Sequence, residues 1–293
     1  LGKLGYTFSS FPLRAIMSRA IERSGKIRDA PRDTLIAESF PKKRRARAFG
    51  VLRAFDHAGA IIGSLLLIFI TLAIDYRRLM LLASVFPLLS VLLVLIFIKE
   101  KRPRARKKRK LNLRFFSKKY KLFILVTSIF AISYFDRSFL LLLIDEFKLP
   151  NFYIGLCYST FIITTPLSSI AIGRIGDKLG RKVAVTLTYS LWSLTCALAL
   201  FLHPLLLPVV FLFYGLQYGA RDAIMRTFIY ELSPSKWRAT GISLYNLVAG
   251  ISIFIASLIA GFIWEFVGWQ FVYLFSLVLS LLATLLFLAL KIS

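Results

Sequence analysis

A chain of 293 residues that is 58% hydrophobic, with a mean hydropathy of +0.73, has more apolar surface than one soluble core can bury; soluble domains run at roughly 45–50% apolar residues. The surplus must face lipid, which excludes an ordinary water-soluble enzyme or binding module. The formal charge of +25 would by itself suit a phosphate backbone, but the basic residues fall in bursts between long apolar runs, as they do in loops kept out of a bilayer. Nucleic acid is excluded on that placement.

A spanning helix needs about 20 mostly apolar residues, because the hydrocarbon core is roughly 30 Å thick and a helix rises about 1.5 Å per residue. In chain order, the stretch before Ala30 predicts only an amphipathic or incomplete helix, broken up by Arg14, Arg19, Glu22, Arg23 and Lys26. Eight full spans follow, at 50–73, 79–98, 120–144, 152–172, 183–202, 205–225, 241–263 and 269–290. The expected fold class is an all-α membrane protein, a bundle of eight spanning helices and a partial ninth.

The connectors set the orientation. Alternate connectors carry five Lys or Arg within 42–47, thirteen within 99–121, four within 174–182, and then Lys236, Arg238 and Lys291. The opposite set has only Arg77, Arg78 and Lys148. The basic side, with the C-terminus, is therefore expected to be cytoplasmic. The stretch that opens on Lys99 and closes on Lys121 is the longest polar interruption. It divides the chain into 1–98, a basic linker at 99–119, and 120–293. Its charge also suits anionic lipid headgroups, at about 1 kcal/mol per basic residue near the surface; a solvated loop with no specific partner is the alternative.

Cys157 and Cys196 lie inside apolar runs and read as small buried hydrophobes. With two histidines, His57 and His203, no metal cluster is expected, and no phosphate-cradling loop is present. Neither a cofactor nor an enzyme is predicted.

A shift of 193 positions lays 28–46 over 221–239 with ten of nineteen pairs identical, Arg28/Arg221, Asp29/Asp222, Glu38/Glu231 and Pro41/Pro234 among them. Both copies end a membrane helix, cross a basic loop and begin another on the same side, so the two halves are predicted to be parallel repeats about an axis along the membrane normal. In that register the second copy has about 100 residues between Tyr120 and Arg221, whereas 27 residues precede Arg28. The expectation is that about three helices are absent from the front and that a longer form has twelve.

The connector at 173–182 reads Gly173-Arg174-Ile175-Gly176-Asp177-Lys178-Leu179-Gly180-Arg181-Lys182. It resembles the cytoplasmic-loop signature of the major facilitator superfamily, G-x-x-x-D-[RK]-x-G-[RK]-[RK], at every defined position: Gly173, Asp177, Lys178, Gly180, Arg181 and Lys182. The resemblance implies a two-halved transporter bundle in which this loop latches the cytoplasmic ends of the halves. Carried over, Asp177 would face the start of the helix near Phe49, and Arg181 would bridge Asp177 and Glu231. Residues 22–38 resemble the end of the fourth helix in bacterial and archaeal efflux-type members, although one glycine is missing after Lys26. Gly59 and Gly63 match half of the antiporter motif G-x-x-x-G-P, with Ser64 in place of the proline. The implied function is secondary active export of a small organic molecule across the plasma membrane, with H+ as the coupling ion. The alternative is a membrane scaffold or a truncated, inactive remnant.

Charge at the bilayer centre costs at least about 2.5–3.5 kcal/mol on insertion scales, so intramembrane ionisable residues are functional candidates. Asp136 lies about 24 Å in from Tyr120 along the helix and is a candidate for proton or cation coupling or for contact with a cationic substrate. Arg137 follows it, about 100° round the helix, and is expected to pair with it only through a third group. The alternative is a buried structural ion pair. Arg53, Asp56 and His57 form an i, i+3, i+4 set in which a helical pair is the simpler reading and His57 can titrate with a proton. Gln217, with Tyr214 and Tyr218, and Asn246, with Tyr245, are candidates to line a central cavity; helix packing is an equally good explanation for the tyrosines. Arg221, Asp222 and Arg226 near the inner end of their helix, with Arg28, Asp29, Arg32 and Asp33 in the first copy, suggest a cytoplasmic gate of ion pairs.

Overall fold

The structure is a computed structural model. It describes residues 58–63, 65, 85, 89, 92, 96, 116–201 and 203–290. Arg28, Asp29, Arg32, Asp33, Arg53, Asp56 and His57, and the basic stretch as far as residue 115, lie outside the described residues. The chain divides into two units, Leu1–Lys108 and Arg109–Ser293.

In the first unit every described residue is helical. Val85, Leu89, Leu92 and Ile96 recur every three or four positions and are all exposed, which is the stripe a helix turns toward lipid. Gly59 and Gly63 have open space where a side chain would start, so neither makes a close approach there.

The second unit is a set of helices in chain order: α1 Lys118–Ser133, α2 Ser138–Glu146, α3 Phe152–Lys178, α4 Arg181–Phe201, α5 Leu207–Leu232, α6 Arg238–Phe266 and α7 Trp269–Ala289. Short 3₁₀ turns at Pro204–Leu206 and Ser235–Trp237 lead into α5 and α6. Each boundary has a local cause. Ser117 caps α1 by accepting the Tyr120 N–H at 3.2 Å. Pro234, which cannot continue a helix, follows the end of α5, and Gly268, at φ 124°, turns the chain between α6 and α7.

Among the described residues, five stretches are long and apolar enough to cross a bilayer: Lys118–Glu146, Phe152–Lys178, Arg181–Phe201, Thr240–Phe266 and Trp269–Ala289. The 26-residue α5 is also long enough, at about 1.5 Å per residue, but its second half carries Arg221, Asp222, Arg226 and Glu231. On α6, Leu247, Ile251, Phe254, Leu258 and Phe262 are exposed along one side, a surface suited to lipid and not to water.

The first span is not the single helix expected at 120–144. It is interrupted at 134–137, between α1 and α2. No Gly or Pro causes this; other side chains take up the backbone groups that the break releases. The Ser133 carbonyl accepts from Trp192 Nε1 at 3.1 Å and from the Ser276 hydroxyl. At the start of α2, Asp136 Oδ1 accepts the Ser138 N–H at 3.0 Å and its hydroxyl at 2.5 Å. Non-helical backbone survives at membrane depth only when its polar groups are satisfied in this way or by water.

The core is built on fully buried aromatics, Trp192, Tyr120, Tyr189, Tyr214 and Tyr273, threaded by a polar seam. Trp192 Nε1 also donates to Ser276 Oγ at 3.0 Å, Ser193 and Ser280 share a hydrogen bond of 2.8 Å, and Tyr189 donates to Thr127 at 3.0 Å. Interhelical hydrogen bonds in membranes average about 0.6 kcal/mol, with a ceiling near 1.7. Because Ser276 serves both α4 and the break, Ser276→Ala is expected to destabilise the unit by about 1–2 kcal/mol, read as a lower melting temperature in detergent; an unchanged melting curve would remove the seam from the list of stabilising contacts.

Candidate functional site

The sequence signature is compact. The connector expected at 173–182 shrinks to Leu179 and Gly180, because α3 runs on through Lys178 and α4 begins at Arg181. Leu179 N–H still bonds Ile175 O at 2.8 Å, and Gly180, at φ 95°, supplies the left-handed residue that ends a helix sharply.

That tight turn keeps Asp177 and Arg181 one helical step apart. Arg181 Nη1 donates to Asp177 Oδ1 at 2.6 Å, and its Nε donates to Glu231 Oε1 at 3.1 Å, near the end of α5. One guanidinium thus joins α3, α4 and α5, as its rigid fork allows. Lys182 points elsewhere: its Nζ donates to the Leu288 and Leu290 carbonyls, each at 2.7 Å, and so caps α7 with the positive charge a helix C-terminus favours. Gly176 lies outside the signature definition, yet a side-chain carbon there would sit 2.9 Å from Ile224 Cδ1 and 3.1 Å from Arg181 Nη1. Gly173 has open space beside it, and Lys178 is exposed.

Deeper in the unit lies a second cluster, around the break. Arg221 is 14 residues into α5, about 21 Å from its start and 16 Å from its end, so it is not at the inner end. Asp222 pairs with Arg226 at 2.8 Å, both groups being 59% exposed, an arrangement that contributes little. Arg221 turns away from them: its guanidinium carbon lies 4.0 Å from the centroid of Tyr134 and 5.4 Å from that of Tyr218. Arg137 lies over Tyr158 at 5.5 Å and Phe161 at 5.8 Å. These rings are continuous with one another. Tyr134 donates to the Tyr214 hydroxyl at 3.0 Å, and Phe161 stacks on Tyr214 at 5.1 Å and meets Tyr218 edge-on at 5.3 Å.

Gln217, one turn before Arg221, is completely buried, and neither polar atom of its amide has a hydrogen-bond partner. Asn246 is exposed. Asp136 and Arg137, adjacent in the break, diverge: the carboxylate turns onto Ser138 and the guanidinium onto the α3 rings. A cation–π contact gives about 2 kcal/mol when desolvated, against an insertion cost of about 2.5–3.5 kcal/mol for arginine at the membrane centre. The rings offset most of the cost of each arginine while leaving its donors available.

The close packing of α3 on α5 was not anticipated. Ser168 donates to the Leu216 carbonyl, and Ser169 donates to the Gly219 carbonyl at 2.9 Å. A side-chain carbon at Gly215 would fall on Thr164 Oγ1 and the Phe161 carbonyl, and one at Gly219 on the Thr165 carbonyl. The four-residue spacing of these glycines is the small-xxx-small pattern of tightly crossing membrane helices, and it is visible in the sequence.

A helical membrane bundle with this two-residue turn and its bridged arginine belongs to a defined class. A sequence model of the Major Facilitator Superfamily matches residues 2–144 and 122–292, and the chain belongs to that superfamily. It is 34% identical over 288 residues to the uncharacterized MFS-type transporter MJ1317 of Methanocaldococcus jannaschii, a match covering 94% of this chain and 72% of the relative.

Proposed function

We propose that this chain works as a secondary active transporter that exports small organic molecules, driven by an H+ gradient across the plasma membrane, with its C-terminus in the cytoplasm. The observation that carries this reading is the Asp177–Arg181–Glu231 bridge. Its three members come from three helices and are 25–68% exposed, so it holds helix ends together with contacts weak enough to open in each cycle. It acts as a conformational latch. Asp136, half-buried in the break of a spanning helix, is the candidate carrier of the coupling proton, since discontinuous helices are where transporters place substrate and ion sites. The thirteen Lys and Arg within 99–121 support a cytoplasmic placement of that stretch and suit it to anionic headgroups.

Proteoliposomes containing the chain and a trapped pH-sensitive dye test this. With an imposed pH gradient, a panel of organic ions should contain compounds that discharge the gradient only when protein is present, and Asp136→Asn should remove the proton flux. Gradients that decay at the protein-free rate with every compound would favour a scaffold over a transporter.

A further inference from the structure

We propose that the arginine–aromatic cluster at the helix break is a binding site for a small organic anion with a planar apolar body, a carboxylate or sulfonate on a ring. This assigns a substrate class to the transporter reading and rests on it. The two half-buried guanidiniums, on α5 and in the α1–α2 break, are joined through one run of rings: Arg221 over Tyr134 and Tyr218, and Arg137 over Tyr158 and Phe161.

Among the described residues, no carboxylate lies within 4.0 Å of either guanidinium, whereas Arg181 and Arg226 in the same unit do have such partners. The carboxylates adjacent in the chain are turned to other donors: Asp136 accepts from the backbone and hydroxyl of Ser138, and Asp222 accepts from Arg226. A cation–π contact uses the face of a guanidinium and leaves its in-plane N–H donors free. Those donors form the fork that grips a carboxylate or sulfonate through two parallel hydrogen bonds.

Gln217 supplies an independent sign. Its amide is fully buried and unpartnered one turn from Arg221, and buried polar groups are nearly always hydrogen-bonded. An anion held by Arg221 would give the amide N–H groups an acceptor. The tyrosine and phenylalanine faces would take the ring of such a ligand by stacking. Two arginines repel a cation from the same place.

Three probes with one ring and different charges decide it: benzenesulfonate, neutral benzenesulfonamide and benzyltrimethylammonium. Sulfonate is chosen because it stays ionised and does not cross lipid unaided. Equilibrium binding of radiolabelled benzenesulfonate to the whole purified chain should be saturable, at least tenfold weaker for the sulfonamide competitor, and untouched by the ammonium. Arg137→Gln and Arg221→Gln should each weaken it tenfold or more, and Arg221→Lys should restore only part of the loss. The site is overturned if the ammonium competes as well as the sulfonamide, if benzenesulfonate does not saturate, or if both glutamine variants bind like the parent. Should Arg221→Gln fail to fold, the charge series on the parent and the Arg137→Gln variant still decide. Flux separates the two readings. Binding without gradient-driven benzenesulfonate movement leaves the site standing and sinks the transport reading. Gradient-driven ammonium movement without benzenesulfonate binding does the reverse.

Discussion

Gly219→Val is expected to abolish the folded second unit, with a loss of about 3 kcal/mol or more. The first atom of any side chain at 219 coincides with the Thr165 carbonyl and stands 3.2 Å from Ser168 Cβ. A flexible side chain could swing aside, but a carbonyl locked in the ladder of α3 cannot. Relief requires moving the two helices apart, which breaks the Ser168–Leu216 and Ser169–Gly219 hydrogen bonds and unpacks Tyr214 from Phe161. Lipid is as apolar as the side chains, so no hydrophobic effect pulls the helices together again.

Gly250→Ala is the control. It lies in α6 with open space beside it, and a helical Gly→Ala change is expected to be neutral or to stabilise by up to about 1 kcal/mol. Melting followed by size-exclusion chromatography in detergent should separate the two variants widely. A Gly219→Val protein that melts within a few degrees of the parent would show that the helices are not in contact at that point.

How much of this was legible in the sequence depends on whether the cause was local. The helices of the second unit fall on the apolar runs because the length of a lipid-crossing helix is set by bilayer thickness alone. The two-residue turn at Leu179 and Gly180 is marked by its glycine. The continuation of α3 through Gly173 and Asp177 was not legible, because charged residues at a helix end and in a loop look alike until something bonds them; here Arg181 does. The break at 134–137 was equally hidden. Its residues, Tyr134 to Arg137, include no helix breaker, and the groups that satisfy it, Trp192 and Ser276, lie 59 and 143 residues from Ser133. Arg221 was misplaced for a related reason. Its neighbours Asp222 and Arg226 do form an ion pair, and only the position of Tyr134, in the break between α1 and α2, shows that Arg221 faces the other way.

Arg181→Gln is expected to slow transport about tenfold or more, with a loss of fold stability of no more than about 1–2 kcal/mol. The split between the two effects is the informative part. Arg181 is 25% exposed and its partners 68% and 45%, so each contact contributes about 0.2–1 kcal/mol, too little to decide folding. A two-state equilibrium is more sensitive: about 1.4 kcal/mol shifts it tenfold, and an interaction made in only one state biases it by its full strength. Removing the guanidinium also leaves the Asp177 and Glu231 carboxylates without the cation between them, and their repulsion adds to the bias. Arg181→Lys should rescue only in part, since one ammonium on a flexible stem replaces two nitrogens that reach separate acids. High salt should narrow the gap between parent and variant, because charges this exposed are screened over a Debye length of about 8–10 Å. Lys182→Gln serves as the counter-test. It releases the Leu288 and Leu290 carbonyls at the end of α7 and leaves the three-residue bridge intact, so it should lower the melting temperature slightly while transport keeps its rate. If Lys182→Gln slows transport as much as Arg181→Gln does, the effect belongs to any damage near the turn, and the bridge has no separate role in the cycle.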